Sequence, residues 1–204
     1  MLKKISQTAL LVMLFLFSSL LRAEGQGYET INPAQPTHDP NKIEVLEFFW
    51  YGCPHCYAFE PLLKAWIGKL PKNVEFIRQP AALNENWAKH AKAYYTAEAL
   101  GVVDKIHSDF FDAVQKGESL ETEEELSKFF AKYGVKEADF KEAFNSFVVD
   151  NKVRQSNAIA ARYGLTGVPV IIINGKYKVT GKTAGSHEKM IEVMSELIKK
   201  EGAK

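Results

Sequence analysis

Residues 42–57 read KIEVLEFFWYGCPHCY. Ile43, Val45, Leu46, Phe48, Phe49 and Trp50 form a short apolar run, which predicts a strand buried on both faces of a mixed sheet. Gly52 ends the run. Pro54 follows where the first turn of a helix tolerates proline, because an N–H there has no intrahelical partner to lose. Phe59, Leu62, Leu63 and Trp66 continue at helical spacing to about Lys69, with Pro61 expected to kink the helix. Val74, Phe76 and Ile77 predict a second strand over residues 73–78. The order is strand, helix, strand, with Cys53 and Cys56 at the first junction.

Two cysteines three residues apart at a helix start lie on nearly one face, so their sulfurs can meet. Cys53 stands at the helix N-terminus, where unpaired N–H groups and the positive end of the helix dipole favour a thiolate. It is therefore expected to have a lowered pKa and to be the exposed nucleophile. Cys56 is expected to point deeper and to resolve a mixed disulfide by exchange. His55 can donate a hydrogen bond towards the Cys53 sulfur and adds positive charge when protonated. Both effects favour the reduced dithiol, which makes the disulfide a better oxidant and points to an oxidase. Other uses of the pair fit less well. A structural disulfide closing so short a loop would restrain the unfolded chain little. Zinc needs about four ligands, and no second cysteine pair exists. His38, His90, His107 and His187 read as scattered, unpaired surface or core residues. A c-type haem needs histidine directly after the second cysteine, where Tyr57 stands. No metal or cofactor is expected.

From about Asn84 to Gly164 the pattern is helical. Trp87, Ala91, Tyr94, Ala97 and Leu100 share a face, as do Ile106, Phe110 and Val114. Thr122 and Glu125 form a capping box ahead of Leu126, Phe129, Phe130 and Tyr133. Phe140, Phe144, Phe147 and Val148 open a further helical stretch reaching Tyr163, with a break expected near Asp150. Aromatic residues at this spacing read as core and not as a cofactor box. Residues 170–173 and 176–180 then form a hairpin through Asn174-Gly175. Ser186 caps a last helix carrying Met190, Ile191, Met194, Leu197 and Ile198.

Two positions sit awkwardly in this pattern. Gly167-Val168-Pro169 precedes a strand, where a proline needs a reason. It is either a plain strand-entry proline or, as expected here, part of a cis Val168–Pro169 bond that brings the Val168 backbone beside Cys53 to pair with an extended substrate segment. Glu47 is a charge inside an apolar strand. It is either surface-facing, or a buried carboxyl with a raised pKa that relays a proton to Cys56.

At the front, Lys3 and Lys4 precede an apolar run over residues 9–21, and Ala23 offers a small residue for cleavage. This reads as a secretory signal over residues 1–23, since a spanning helix needs about 20 apolar residues; Leu21, larger than the usual small residue at its place before the cleavage point, leaves an uncleaved anchor as the alternative. Removing it leaves 23 basic and 25 acidic side chains, a net −2. That excludes the basic excess of a nucleic-acid or anionic-membrane binder. Hydrophobic residues make up 46% of the chain, enough for a core without disulfide staples. Export would place the cysteines in an oxidising compartment. Residues 25–41 form an extended lead-in, with 28–31 a candidate edge strand.

Val45-Leu46-Glu47-Phe48-Phe49 running into Cys53-Pro54-His55-Cys56-Tyr57 closely resembles the DsbA family of periplasmic disulfide-forming oxidoreductases. So do Asn145-Ser146-Phe147-Val148-Val149 and Gly167-Val168-Pro169 with residues 170–177. The resemblance runs from about Tyr28 to the C-terminus. It implies an α/β chain with a thioredoxin-like fold and an inserted helical domain: thioredoxin-like over 24–83 and 165–204, helical over 84–164. It implies that Cys53 is the nucleophile, Cys56 the resolving thiol, Val168-Pro169 the cis-proline loop and Glu47 the family's buried acid. The implied activity is the introduction of disulfides into reduced, unfolded secreted proteins in the periplasm, with reoxidation by the membrane quinone reductase DsbB. The competing readings are a disulfide isomerase or reductase, and a non-catalytic chaperone-like module that binds through the helical block. A dimeric isomerase needs a dimerisation domain for which there is no room, and a reductase more often carries Gly-Pro between its cysteines.

Overall fold

The computed structural model describes residues 26–203, so the signal-like segment 1–23 lies outside the described residues. β1 (Glu29–Thr30) is a short first strand. The apolar run becomes β2 (Ile43–Phe49), with all seven residues buried. α1 (Pro54–Ile67) begins at Pro54 and continues through Pro61. β3 (Val74–Pro80) completes the first unit. Five helices follow: α2 (Glu85–Ala99), α3 (Val103–Gln115), α4 (Glu123–Ala131), α5 (Glu137–Phe144) and α6 (Phe147–Arg162). β4 (Val170–Ile173), β5 (Tyr177–Thr180), α7 (Gly181–Ala184) and α8 (His187–Gly202) close the chain.

The five strands form one sheet in the order β1-β5-β4-β2-β3. β2 lies parallel to β3 and antiparallel to β4, which is why it is buried on both faces. β1 pairs antiparallel with β5 at one edge. The hairpin turn holds both Asn174 (φ 50°) and Gly175 (φ 64°) in the left-handed region, as a two-residue turn that matches strand twist requires. A Cβ on Gly175 would lie 2.1 Å from the Gln35 carbonyl oxygen, so only glycine fits.

Period-two alternation divides the core. Val45, Ile171, Ile173 and Val179 pack with Phe59 and Leu63 of α1 and Met190, Met194 and Leu197 of α8. Leu46, Phe48, Val170 and Ile172 face Ala160 and Tyr163 at the end of α6. A third, aromatic cluster joins Phe110, Phe111, Phe129, Phe130 and Phe140 to Phe49, Tyr51, Cys53 and Cys56. The helical block thus shares one apolar cluster with the dithiol.

The break expected near Asp150 lies earlier. α5 ends at Phe144, and Ser146 starts α6 by accepting the Val149 N–H at 3.2 Å. Phe147 and Val148 occupy the first turn on its outer side, 76% and 60% exposed, and only Val149 turns inward. Their apolar character therefore does not mark core. The Thr122–Glu125 capping box and the Ser186 cap form as expected.

Candidate active site

Cys53 is the N-cap of α1, with extended backbone (φ −88°, ψ 114°) and its sulfur accepting the Cys56 N–H at 3.4 Å. No acidic residue stands in the first turn of α1 to oppose a thiolate there. Both cysteines are free thiols. The hydrogen bond from the Cys56 thiol is the largest influence on Cys53; burial opposes it, and the Cys56 and His55 N–H groups and the His55 charge add to it. The Cys53 thiol falls to about 6 from an ordinary 9.0. Burial pushes Cys56 far above the usual thiol range, and its hydrogen bond to Cys53 pushes it the same way. The pair is electrically unequal: one sulfur is ready to carry charge, the other to hold a proton.

Two expectations need correction. Cys53 is only 8% exposed against 2% for Cys56, so it lies in a recess and not on open surface. His55 acts on the sulfur through its backbone N–H and its charge, not through a ring hydrogen bond. In the first helical turn the backbone N–H groups point at the N-cap while side chains splay outward, and the exposed His55 ring sits 6.4 Å from that of His187.

The Val168–Pro169 bond is cis, and the Val168 carbonyl accepts the Cys53 thiol at 3.4 Å. That carbonyl is the backbone acceptor expected beside the nucleophile. Glu47 is buried at 3% exposure, as the place of β2 between β4 and β3 dictates. Burial drives its carboxyl well above the usual range, although Arg78 Nε lies 3.3 Å away. When ionised, Glu47 pushes Cys56 higher still.

Arg78, Glu60, His107 and Tyr51 complete a buried polar cluster that the sequence reading did not identify. Arg78 faces Glu47 in the parallel β2–β3 register and donates to Glu60 at 2.6 Å. His107 Nε2 lies 3.7 Å from Glu60, and its Nδ1 is 2.8 Å from the Tyr51 hydroxyl. His107 is therefore neither scattered nor unpaired. Burial raises the Glu60 carboxyl, but the His107 hydrogen bond and the Arg78 charge outweigh it and hold it below its ordinary value. Arg78 is thus matched by one ionised acid, Glu60, while Glu47 keeps its proton. A signal for Glu60 did exist: it lies four residues after Cys56 and three before Leu63, on the buried face of α1.

This arrangement suits thiol–disulfide exchange: a low-pKa sulfur, a protonated partner thiol, a buried carboxyl of raised pKa and a backbone carbonyl beside the sulfur. Residues 44–187 match the DSBA-like thioredoxin domain family. Thiol:disulfide interchange protein DsbA of Pseudomonas syringae pv. tomato is 43% identical over 180 residues, 88% of this chain and 84% of that protein. DsbA of Pseudomonas aeruginosa PAO1 is 39% identical over 201 residues, 96% and 95% of the two chains. The crystal structure of Pseudomonas aeruginosa DsbA matches with a TM-score of 0.83 at 39% identity, covering 87% of this chain and 93% of that one. The oxidoreductase DsbA from Xylella fastidiosa matches at 0.81 and 33% identity, covering 87% and 96%. The α/β fold is the thioredoxin-like fold that the resemblance implied, with α2 to α6 set between β3 and β4. Sequence and fold agree, and the chain belongs to the DsbA family of thiol–disulfide oxidoreductases.

Proposed function

We propose that this protein donates disulfides to reduced, unfolded secreted proteins in the periplasm, through Cys53 and Cys56. The observation that carries the reading is the inequality of the two thiols, with Cys53 lowered to about 6 and Cys56 raised far above the thiol range. A stabilised thiolate stabilises the reduced form, and a stable reduced form makes the disulfide form oxidising.

In the disulfide form, a substrate thiolate attacks Cys53 Sγ. The Cys53–Cys56 bond breaks, Cys56 leaves with the electron pair, and a proton from Glu47 quenches it. A second substrate thiolate then attacks the substrate sulfur of the mixed disulfide. Cys53 leaves as a thiolate, favoured because its pKa is low. The substrate has lost two electrons and the dithiol has gained them. Reoxidation passes them to a disulfide of a DsbB-like membrane quinone reductase. The Val168 backbone, which engages Cys53 in the reduced form, pairs with the extended substrate segment in the complex. His55 and Pro54 set the first turn that presents the N–H groups to Cys53.

Residues 24–83 and 165–204 act as the thioredoxin-like domain, and residues 84–164 as an inserted helical domain that roofs the dithiol through its aromatic core. The signal over residues 1–23 directs export. The test is oxidation of a reduced, unfolded protein in the presence of an oxidant. Cys53→Ser is expected to fall to background, and Cys56→Ser to lose turnover with its Cys53 held in a mixed disulfide with a glutathione-disulfide oxidant that no second cysteine resolves. Full activity of Cys53→Ser would overturn the mechanism.

A further inference from the structure

Beside the dithiol a cleft of about 500 Å³ opens between the loop 164–169, β5 and α7. Val168, whose carbonyl lies 3.4 Å from the Cys53 sulfur, forms part of its wall, so a chain that pairs with Val168 runs along it. The charges of the cleft are unbalanced. Lys178 is held by Glu29 at 2.7 Å. Lys182, on α7, is exposed and has no ion-pair or hydrogen-bond partner among the described residues. Two lysines therefore face one carboxylate. His55 and His187 add imidazoles at the end nearest the dithiol, their rings 6.4 Å apart, with His187 packed 5.2 Å from the Phe59 ring.

We propose that this cleft selects reduced segments whose cysteine is flanked by acidic side chains, with Lys182 as the specificity-determining cation and His55 and His187 as hydrogen-bond donors to the carboxylates. The inference rests on the disulfide-donor reading above. Its physical basis is the uncompensated positive charge, which raises the local concentration of an anionic segment and also of the substrate thiolate that attacks Cys53. The covalent step is unchanged: the substrate sulfur bonds to Cys53 Sγ, the Cys53–Cys56 bond breaks, and Cys56 takes the electron pair. The substrate carboxylates only position the chain.

The test uses the oxidised protein and three reduced dithiol peptides of one sequence, with Glu, Gln or Lys beside the cysteine. At low salt the Glu peptide is expected to be oxidised about two- to five-fold faster than the Lys peptide, the range of a solvent-exposed ion pair. The ratio should fall towards one at 1 M salt, where the screening length is about 3 Å. Lys182→Glu should reverse it. The ratio is read within one protein, so a general loss of activity in the variant cancels. Equal rates for the Glu and Lys peptides, or a ratio unchanged in Lys182→Glu, would overturn the proposal and leave the disulfide-donor reading standing. No oxidation of any peptide would overturn that reading and take this one with it.

Discussion

Cys53 and Glu47 occupy opposite ends of one electrostatic argument. Cys53 accepts a hydrogen bond from the Cys56 thiol and sits where N–H groups converge, and its thiol is lowered to about 6. A group with a depressed folded pKa adds stability above its unfolded value and loses it as pH falls through the folded value. The reduced protein should therefore gain stability over the oxidised form from about pH 6 to pH 9 and lose that advantage below pH 6. Thermal midpoints of both forms at pH 5 and pH 8 check this; a gap independent of pH would contradict it. Glu47 has the opposite sign. Its folded carboxyl is raised by burial, so the unfolded chain ionises first and stability falls as pH rises above the ordinary value of 4.5. Glu47→Gln, neutral throughout, is expected to raise stability at pH 7 by at least about 1 kcal/mol, one pKa unit's worth. It should also slow the step in which Cys56 takes up its proton. Denaturant unfolding reads the first effect, and a Gln variant less stable than the parent at pH 7 would count against it. The sequence exposed Glu47 because a charge interrupts an apolar strand. It concealed Arg78 and His107, because their partners come from other elements and no spacing rule links residues 47, 60, 78 and 107.

At the level of elements, local chemistry was readable wherever a side chain caps its own backbone. Thr122 with Glu125, and Ser186, mark helix starts that the structure retains. Ser146 does the same for α6, but the apolar Phe147 and Val148 beside it made the stretch look continuous. Apolar residues in a first turn can face solvent, and periodicity alone does not reveal this. Ser146→Ala should cost about 1 kcal/mol, the usual loss for an N-cap hydroxyl, and should fray the start of α6 without touching the dithiol. Hydrogen exchange at Val149 is the direct probe; protection unchanged in the variant would show that the cap does not hold the helix start. α1 shows a cap put to chemical use. Its N-cap side chain is the Cys53 sulfur, so the interaction that starts the helix also tunes the thiol.

For the whole molecule, the order of elements was legible and their neighbours were not. Strand, helix, strand, a helical block, hairpin and helix follow from periodicity, Gly-bearing turns and caps. That β2 lies between β3 and β4, and that the helical block closes over the dithiol through Phe49, Tyr51 and the α3 aromatics, are facts of tertiary packing. Fold and site meet in the balance between the two redox states. The Cys56 hydrogen bond and the helix end favour a Cys53 thiolate against the opposing effect of burial, while burial and the hydrogen bond to Cys53 keep Cys56 protonated. Equilibration in glutathione buffers to read the Cys53–Cys56 reduction potential tests that balance most directly. A value near or above about −180 mV is expected, in or beyond the range of disulfide isomerases. A value near about −270 mV, the thioredoxin range, would mean that the helix end and His55 do not stabilise the thiolate enough, and would make this chain a reductant.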